Sequence, residues 1–291
     1  MRHARILKRI LSVSAALFIV GLAGIVWRQY ETTRRVGKLR QSANSGSEAV
    51  FTEDDVEGLP DPVREYLTNA LPQGHPYVDQ IRLEQNGKLR LGGASSPWKP
   101  FTATQHVTVD PPGFYWDASI RLAPLLSLCV RDLFCDREGT ASVSVFGVIP
   151  LDSATSSPEL EEAELMRYLA EAVWYPTALL PAAGTEWESI DDRTAKATVE
   201  DGDVSASLTF SFNEDDEVTR VHADRYRRVD DGYELTSWSG YWRNYETRNG
   251  VTVPTEGEVV WHLPDGDLHA WQGRVTDIQY DELLSYRGRE R

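Results

Sequence analysis

The chain contains only two cysteines in 291 residues, and they lie six positions apart at Cys129 and Cys135. If both belong to one strand, a rise of about 3.3 Å per residue separates them by about 20 Å. A disulfide requires Cα atoms within about 7 Å, so we expect both thiols to stay unbridged. The same scarcity excludes a zinc site built from paired cysteines.

Motifs of catalysis and phosphate binding are also missing. The chain has no G-x-S-x-G nucleophile elbow and no glycine-rich phosphate loop. His262 lies near Asp265 and Asp267, which could form an acid–base or metal group, but Asp265-Gly266 has the pattern of a turn between two strands. We therefore assign no catalytic residue, no metal ligand and no cofactor, and a hydrolase is the third interpretation after two others given below.

Lysine is scarce as well, with five residues in a chain that has 45 aspartates and glutamates. Residues 1–40 have a net charge of +8. Because the whole chain has a net charge of −15, the remaining residues carry −23. Nucleic-acid binding needs a basic surface that displaces counterions from phosphates, so the acidic body excludes nucleic acid as a partner. Such a surface is typical of a halophile, and equally of an acidic extracytoplasmic protein from an arginine-rich genome.

The N-terminal region has the pattern of a signal-anchor. Residues 10–27 form an uncharged run of about 18 residues, close to the ~20 that a transmembrane helix needs. Trp27 and Tyr30 at its end suit the membrane interface, and no small-residue cleavage site follows directly. We predict a membrane anchor at 1–30, a juxtamembrane linker at 31–56, and a single-pass protein of the cytoplasmic membrane with an extracytoplasmic soluble domain.

Strand patterns dominate the rest of the chain. Alternating apolar and polar runs are joined by short turns rich in Asp, Asn and Gly, such as Asn86-Gly87 and Asp110–Gly113. Roughly 10–11 such runs with short connections predict one antiparallel sheet, and a sheet that long curls toward a barrel. The predicted fold is mainly β (α+β), a curled antiparallel half-barrel as a single domain over residues 57–283, followed by a disordered tail at 284–291.

A helical insertion at 157–181 interrupts the strands. Ser157-Pro158 has the pattern of an N-cap followed by the first helical residue. Glu164, Arg167 and Glu171 recur at i, i+3 and i+7, which predicts a solvated stripe opposite a broad apolar face. In a curled sheet that apolar face belongs on the concave side, so we predict that the helix covers the opening as a lid.

Four stretches resemble a known family: LPDPVREYL, FTATQHVTVDPPGFYWDASIRLAP, RYLAEAVWYPTALLP and VPTEGEVVWHLPDG. They resemble a family of membrane-anchored prokaryotic proteins of unknown function, over most of the chain from about residue 60. Cys129 and Cys135 depart from the apolar or small residues expected there. The order of elements is also similar to the half-barrel of the bacterial lipoprotein carriers, which implies acyl chains held between a concave sheet and a helical lid.

Eight of the nine tryptophans lie in the body, where core packing explains each one singly. Alternation along a curled sheet nevertheless places many on one face, where they could line a cavity for an elongated apolar ligand. The candidate cavity and lid residues are Trp116, Leu169, Val173, Trp174, Tyr175 and Trp261, and the candidate partners of an anionic head group are Arg121, Arg131 and Arg167.

Two functions follow from this interpretation. The first is a membrane-tethered module that binds a lipid or another hydrophobic ligand under the lid. The alternative is a structural or interaction protein with a filled core, which acts through its acidic surface. An internal void of ~300 Å³ or more would separate the two. The sequence leaves the ligand and the oligomeric state open.

Overall fold

The computed structural model describes residue 24 and residues 26–44, 48–123 and 126–281. Within these residues the helices are α1 (26–42), α2 (Asp61–Ala70) and α3 (Pro158–Glu171). The strands are β1 (Gln80–Arg90), β2 (Trp98–Thr108), β3 (Gly113–Ala123), β4 (Leu126–Cys135), β5 (Glu138–Val145), β6 (Ile149–Ala154), β7 (Glu186–Asp191), β8 (Thr194–Asp201), β9 (Val204–Phe212), β10 (Val218–Val229), β11 (Gly232–Arg248), β12 (Val251–Leu263) and β13 (Gly266–Tyr280).

All 13 strands of the described residues belong to one sheet, in the order β6-β5-β4-β3-β2-β1-β13-β12-β11-β10-β9-β8-β7. Each half of the chain is an antiparallel meander, and the halves meet where β1 pairs with β13. Helix α3 carries the chain from one edge strand, β6, to the other edge strand, β7. The sheet curls around α3, which contacts β3–β5 on one side and β9 and β10 on the other.

The predicted curled antiparallel sheet with a mid-chain helix is confirmed, but it has 13 strands rather than ten or eleven. Phe146 and Gly147, both at positive φ, form a turn that divides one predicted strand into β5 and β6. Strand β7 was missed because its side chains are almost all exposed, so its sequence shows no alternation of burial.

Asn86-Gly87 was wrongly predicted as a hairpin turn. Both residues lie inside β1, where Gly87 pairs with Phe101 on one side and Gly273 on the other. A Cβ atom at position 87 would lie 2.1 Å from the carbonyl oxygen of Gln272. The glycine therefore permits a close approach of neighbouring strands instead of a turn.

Helix α3 begins as predicted, with the Ser157 hydroxyl accepting a hydrogen bond from the Leu160 backbone N–H. Three short 3-10 turns continue it, at Ala172–Trp174, Pro176–Leu179 and Pro181–Ala183. Every residue from 163 to 170 except Arg167 is buried, because the sheet surrounds the helix. The solvated stripe predicted on α3 is therefore wrong, and its side chains face the interior.

Helix α1 packs on the outer face of the sheet, with a small apolar cluster of Val36, Leu39, Tyr115, Leu133 and Cys135. The Arg28 guanidinium and the Thr32 hydroxyl both donate to the Asp117 carboxylate, at 3.0 and 2.8 Å. Residues 31–42 are therefore a docked helix, which differs from the linker expected at 31–56.

Among the described residues, no helix is both long and apolar enough to span a bilayer. Most of the predicted span at 10–27 and all of the predicted tail at 284–291 lie outside those residues. Cys129 and Cys135 are both free and buried on β4, which confirms that they do not bridge.

Candidate functional site

Three glycines lie in register across neighbouring strands: Gly87 on β1, Gly273 on β13 and Gly257 on β12. A Cβ atom on Gly273 would lie 2.2 Å from the Trp271 ring, and one on Gly257 would lie 2.6 Å from the Trp242 ring. Because these glycines lack side chains, the two indoles can lie flat against the sheet.

A cavity of about 280 Å³ lies between these indoles and α3. Its aromatic lining consists of Trp116, Trp174, Trp238, Trp242 and Trp271. Trp174 packs edge-on against Trp242 with ring centroids 5.0 Å apart, and its indole N–H donates to the Pro254 carbonyl at 2.9 Å. These contacts hold Trp174 in one orientation at the cavity wall.

Charged side chains form the rest of the lining: Asp132, Glu164, Arg167, Glu171 and Arg225. The Arg167 guanidinium lies 2.7 Å from the Asp132 carboxylate and 2.9 Å from the Glu171 carboxylate, and it stacks over the Trp116 ring at 5.0 Å. Arg167 thus joins β3, β4 and α3 into one charged cluster.

A chain of side-chain hydrogen bonds extends this cluster beneath the cavity. The Gln105 amide donates to Glu171 at 2.6 Å, the Gln85 amide donates to Gln105 at 3.1 Å, and the Trp116 indole donates to Gln85 at 2.8 Å. These four side chains are joined by successive hydrogen bonds, so the chain fixes the orientation of the Trp116 ring and of the Glu171 carboxylate.

The pKa values of the ionisable groups in this cluster are shifted in different directions. Burial, and then the neighbouring Asp132 carboxylate, raise the pKa of Glu164 to about 7. Burial alone would lower the pKa of Arg167, but the carboxylates of Glu171 and Asp132 outweigh it and raise the pKa. Burial lowers the pKa of Arg225, and the charge of the Glu164 carboxylate offsets only part of this decrease.

Arg225 differs from Arg167 in its partners. Its Nε donates to the Ala163 carbonyl at 3.0 Å, and its guanidinium stacks over Trp238 and Trp261 at 5.4 and 5.6 Å. In the described part of the chain, no carboxylate forms an ion pair with it within 4.0 Å. Arg225 is thus a guanidinium at the cavity that an anion could pair with.

Three of the residues predicted from the sequence lie at this cavity. Trp116, Trp174 and Arg167 line the cavity. Leu169, Val173 and Tyr175 are fully buried in the core that supports it, and they are not part of the lining; half-buried Trp261 lies under Arg225. Arg225 was missed, although it follows Val221 and Ala223 at alternate positions of β10, which marks it as inward-facing.

The other two predicted arginines lie on the outer face of the sheet. Arg121 is exposed near the end of β3. Arg131 is buried beneath α1, with its Nε 3.6 Å from the Asp117 carboxylate. Neither contributes to the cavity lining, because positions 121 and 131 have the opposite alternation to Trp116 and Asp132.

The outer face also contains a hydrogen-bonded Ser-His-Asp row. The Ser239 hydroxyl lies 3.0 Å from Nε2 of His262, and Nδ1 of His262 lies 2.8 Å from the Asp267 carboxylate. Ser239 is 0% exposed, and its hydroxyl also accepts from Arg220 at 2.9 Å. The hydroxyl is therefore covered by its neighbours and is not placed to attack a substrate.

A curled antiparallel sheet with a helix and a tryptophan-lined cavity on its concave side defines a half-barrel protein. The chain belongs to DUF6544, a family of unknown function, whose model matches residues 49–273. This match confirms the resemblance to a family without an assigned function. No curated protein matches the chain in sequence.

Three solved structures are similar over most of the chain. A LolA superfamily protein from Nitrosomonas europaea has 12% identity and a TM-score of 0.36, over 76% of this chain and 92% of that chain. A DUF1329 family protein from Desulfovibrio piger has 12% identity and a TM-score of 0.40, over 76% and 91%. A β-barrel-like DUF1849 protein from Brucella abortus has 9% identity and a TM-score of 0.26, over 70% and 99%.

Proposed function

We propose that the protein binds a hydrophobic or amphipathic ligand in the cavity between the curled sheet and α3. The observation that carries this proposal is a cavity walled by five tryptophans with Arg225 beside it. Indole rings provide an apolar surface for the body of a ligand, and an arginine without a carboxylate partner suits a carboxylate or phosphate head group. Arg167 is a poorer partner for the ligand because two carboxylates already bind it.

The cavity volume limits the ligand. About 280 Å³ lies just below the usual range for small-molecule sites, which begins at ~300 Å³. The ligand is therefore a small amphiphile or the end of a single acyl chain rather than a whole diacyl lipid. Each methylene buried against the indoles contributes about 0.8 kcal/mol, so a few methylenes give measurable affinity.

The tether to the cytoplasmic membrane, with the half-barrel outside the cytoplasm, is part of the same proposal. Its support is the uncharged run at 10–27, which leads directly into α1. A ligand that partitions from the adjacent bilayer would then reach the cavity without crossing much water.

The alternative, a filled core that acts through the acidic surface, has two observations in its favour. The cavity of about 280 Å³ falls just below the ~300 Å³ that would separate the two functions. Leu169, Val173, Trp174 and Tyr175 are at most 1% exposed and pack as ordinary core residues. Under this alternative the cavity is a packing defect that no ligand occupies.

Native mass spectrometry with lipid extraction separates the two functions, using full-length protein purified from its native membrane. We expect a ligand in stoichiometric amount, and its loss in an Ala170→Phe variant, because Ala170 lines the cavity and a phenyl ring would occupy it. Ala94→Phe, at an exposed loop position, is the matched control and should retain the ligand. A folded protein that is empty in every variant would reject the proposal and support the filled core.

A further inference from the structure

The start of α1 lies against the turn between β5 and β6. A Cβ atom on Gly24 would lie 2.2 Å from the Phe146 carbonyl oxygen and 3.0 Å from the Val148 side chain. At its other end, α1 places Leu39 against Gly113, at the beginning of β3. Helix α1 therefore runs along the outer face of the sheet. It starts at the end of the sheet where β5 connects to β6, and it finishes near the beginning of β3.

Exposed apolar side chains are concentrated at this end. Six of the eleven large apolar residues that are exposed in the described structure lie on the first turns of α1 or at the β5–β6 connection, with exposures of 40–68%. We call them the apolar patch: Val26, Trp27, Tyr30, Val148, Ile149 and Leu151. Contact between clustered apolar side chains and water is unfavourable. An exposed apolar surface of this kind therefore marks an interaction site.

We propose that the apolar patch rests in the interfacial layer of a lipid bilayer, which orients the half-barrel on the membrane. The uncharged sequence run at 10–27 enters the described structure at the patch, so the chain that would insert into the bilayer leaves the body there. Trp27 and Tyr30 pack against each other, with ring centroids 5.9 Å apart and ring planes tilted by 39°, and both residue types favour the membrane–water interface.

Charge near the patch agrees with a lipid surface. Arg121 is exposed near the end of β3, at the same end of the sheet. An arginine near the surface of an anionic membrane gains about 1 kcal/mol from the lipid head groups. Asp117 on the outer face of β3 binds Arg28, and this contact ties α1, with its part of the patch, to the sheet.

Ile190 provides a matched control within the same chain. It is 55% exposed on edge strand β7, as Leu151 is 58% exposed on edge strand β6. The strand register places Ile190 beside the β7–β8 turn, at the end of the sheet opposite the patch. The proposed contact between the patch and the membrane rests on the membrane tether of the proposed function. It does not depend on the binding of a ligand in the cavity.

The test uses full-length protein with Leu151→Cys or Ile190→Cys, each labelled with a polarity-sensitive fluorophore. The two native thiols are buried, and the unsubstituted chain labelled in parallel gives the background. The proteins are reconstituted into phosphatidylcholine–phosphatidylglycerol vesicles containing spin-labelled lipid. We expect a blue shift and severalfold stronger lipid quenching at 151 than at 190.

Each other outcome overturns the proposal in a distinguishable way. Vesicle association with equal quenching at the two positions, or none at 151, keeps the tether and rejects the docking surface. A blue shift at 151 that requires high protein density instead assigns the patch to a second copy of the chain. Failure to associate with vesicles rejects the tether and the docking surface together, while the ligand measurement remains independent.

Discussion

Replacing each cavity arginine with methionine separates ligand binding from stability. Methionine keeps the length of the side chain but removes its charge and its hydrogen-bond donors. Arg167→Met would leave the Asp132 and Glu171 carboxylates, 17% and 13% exposed, without their cation. Breaking a buried ion pair on one side costs about 3–5 kcal/mol because the remaining charge stays desolvated.

Arg225→Met is far milder for the fold. It removes one hydrogen bond to Ala163 and the stacking over two indoles, and no ion pair of the described residues is lost. We expect a loss of about 1–2 kcal/mol. If Arg225 pairs with an anionic head group, the same change weakens ligand binding by roughly 2 kcal/mol or more, which is about 30-fold.

The assays are thermal unfolding followed by tryptophan fluorescence, and the ligand content of the purified protein by native mass spectrometry. A domain of this size loses about 2–4 °C in Tm for each kcal/mol, so Arg167→Met should lower Tm by roughly 10 °C and Arg225→Met by a few degrees. Arg225→Lys keeps a positive charge at the cavity, so the purified variant should retain part of the ligand content that Arg225→Met loses. Full ligand retention in Arg225→Met would refute the head-group assignment, and an unchanged Tm in Arg167→Met would refute the cost assigned to the buried cluster.

Two further predictions concern the same interior. Since burial raises the pKa of Glu164 from 4.5 to about 7, the folded state binds this proton more tightly and loses stability as the pH rises from about 4.5 to 7. Glu164→Gln should therefore stabilise the protein in urea unfolding at pH 8, by at most ~3 kcal/mol, and not at pH 4; equal effects at both pH values would contradict this. Gly273→Ala must displace the Trp271 ring, so we expect a loss of ~1–3 kcal/mol and a changed tryptophan emission, whereas Gly93→Ala, with no atom within 4 Å, should change neither.

Local signals in the sequence predicted the elements that depend on neighbouring residues alone. Ser157 and Pro158 mark the start of α3 because an N-cap and a fixed φ act within one turn. The turn after β2 follows from Asp110 to Gly113 in the same way. The six-residue separation of Cys129 and Cys135 excluded a disulfide because strand geometry is nearly constant.

Asn86-Gly87 shows where local reasoning failed. The dipeptide has a strong hairpin preference, but in β1 the neighbouring strands β2 and β13 pair with it on both sides. The pairing energy of the whole ladder exceeds the preference of two residues. No feature of residues 80–90 alone reveals that Gly273 and Phe101 lie beside Gly87.

The polar stripe of α3 is the second instance. Glu164, Arg167 and Glu171 have the spacing of a solvated helix face, and the sequence could not show that the sheet closes over it. Their burial depends on Asp132 from β4, which supplies a carboxylate to Arg167 from 35 residues away. Partners this distant in sequence offset the cost of burying charge.

The sequence by itself determined the mainly antiparallel architecture, the mid-chain helix with its cap, and the presence of many tryptophans and an acidic body. These features depend on periodicity, turn chemistry and composition, which act over a few residues. Only the tertiary structure decided which tryptophans share a cavity, and that Arg225 rather than Arg121 or Arg131 lies beside it. That choice depends on the register of distant strands and on the curl of the sheet, which no single segment encodes.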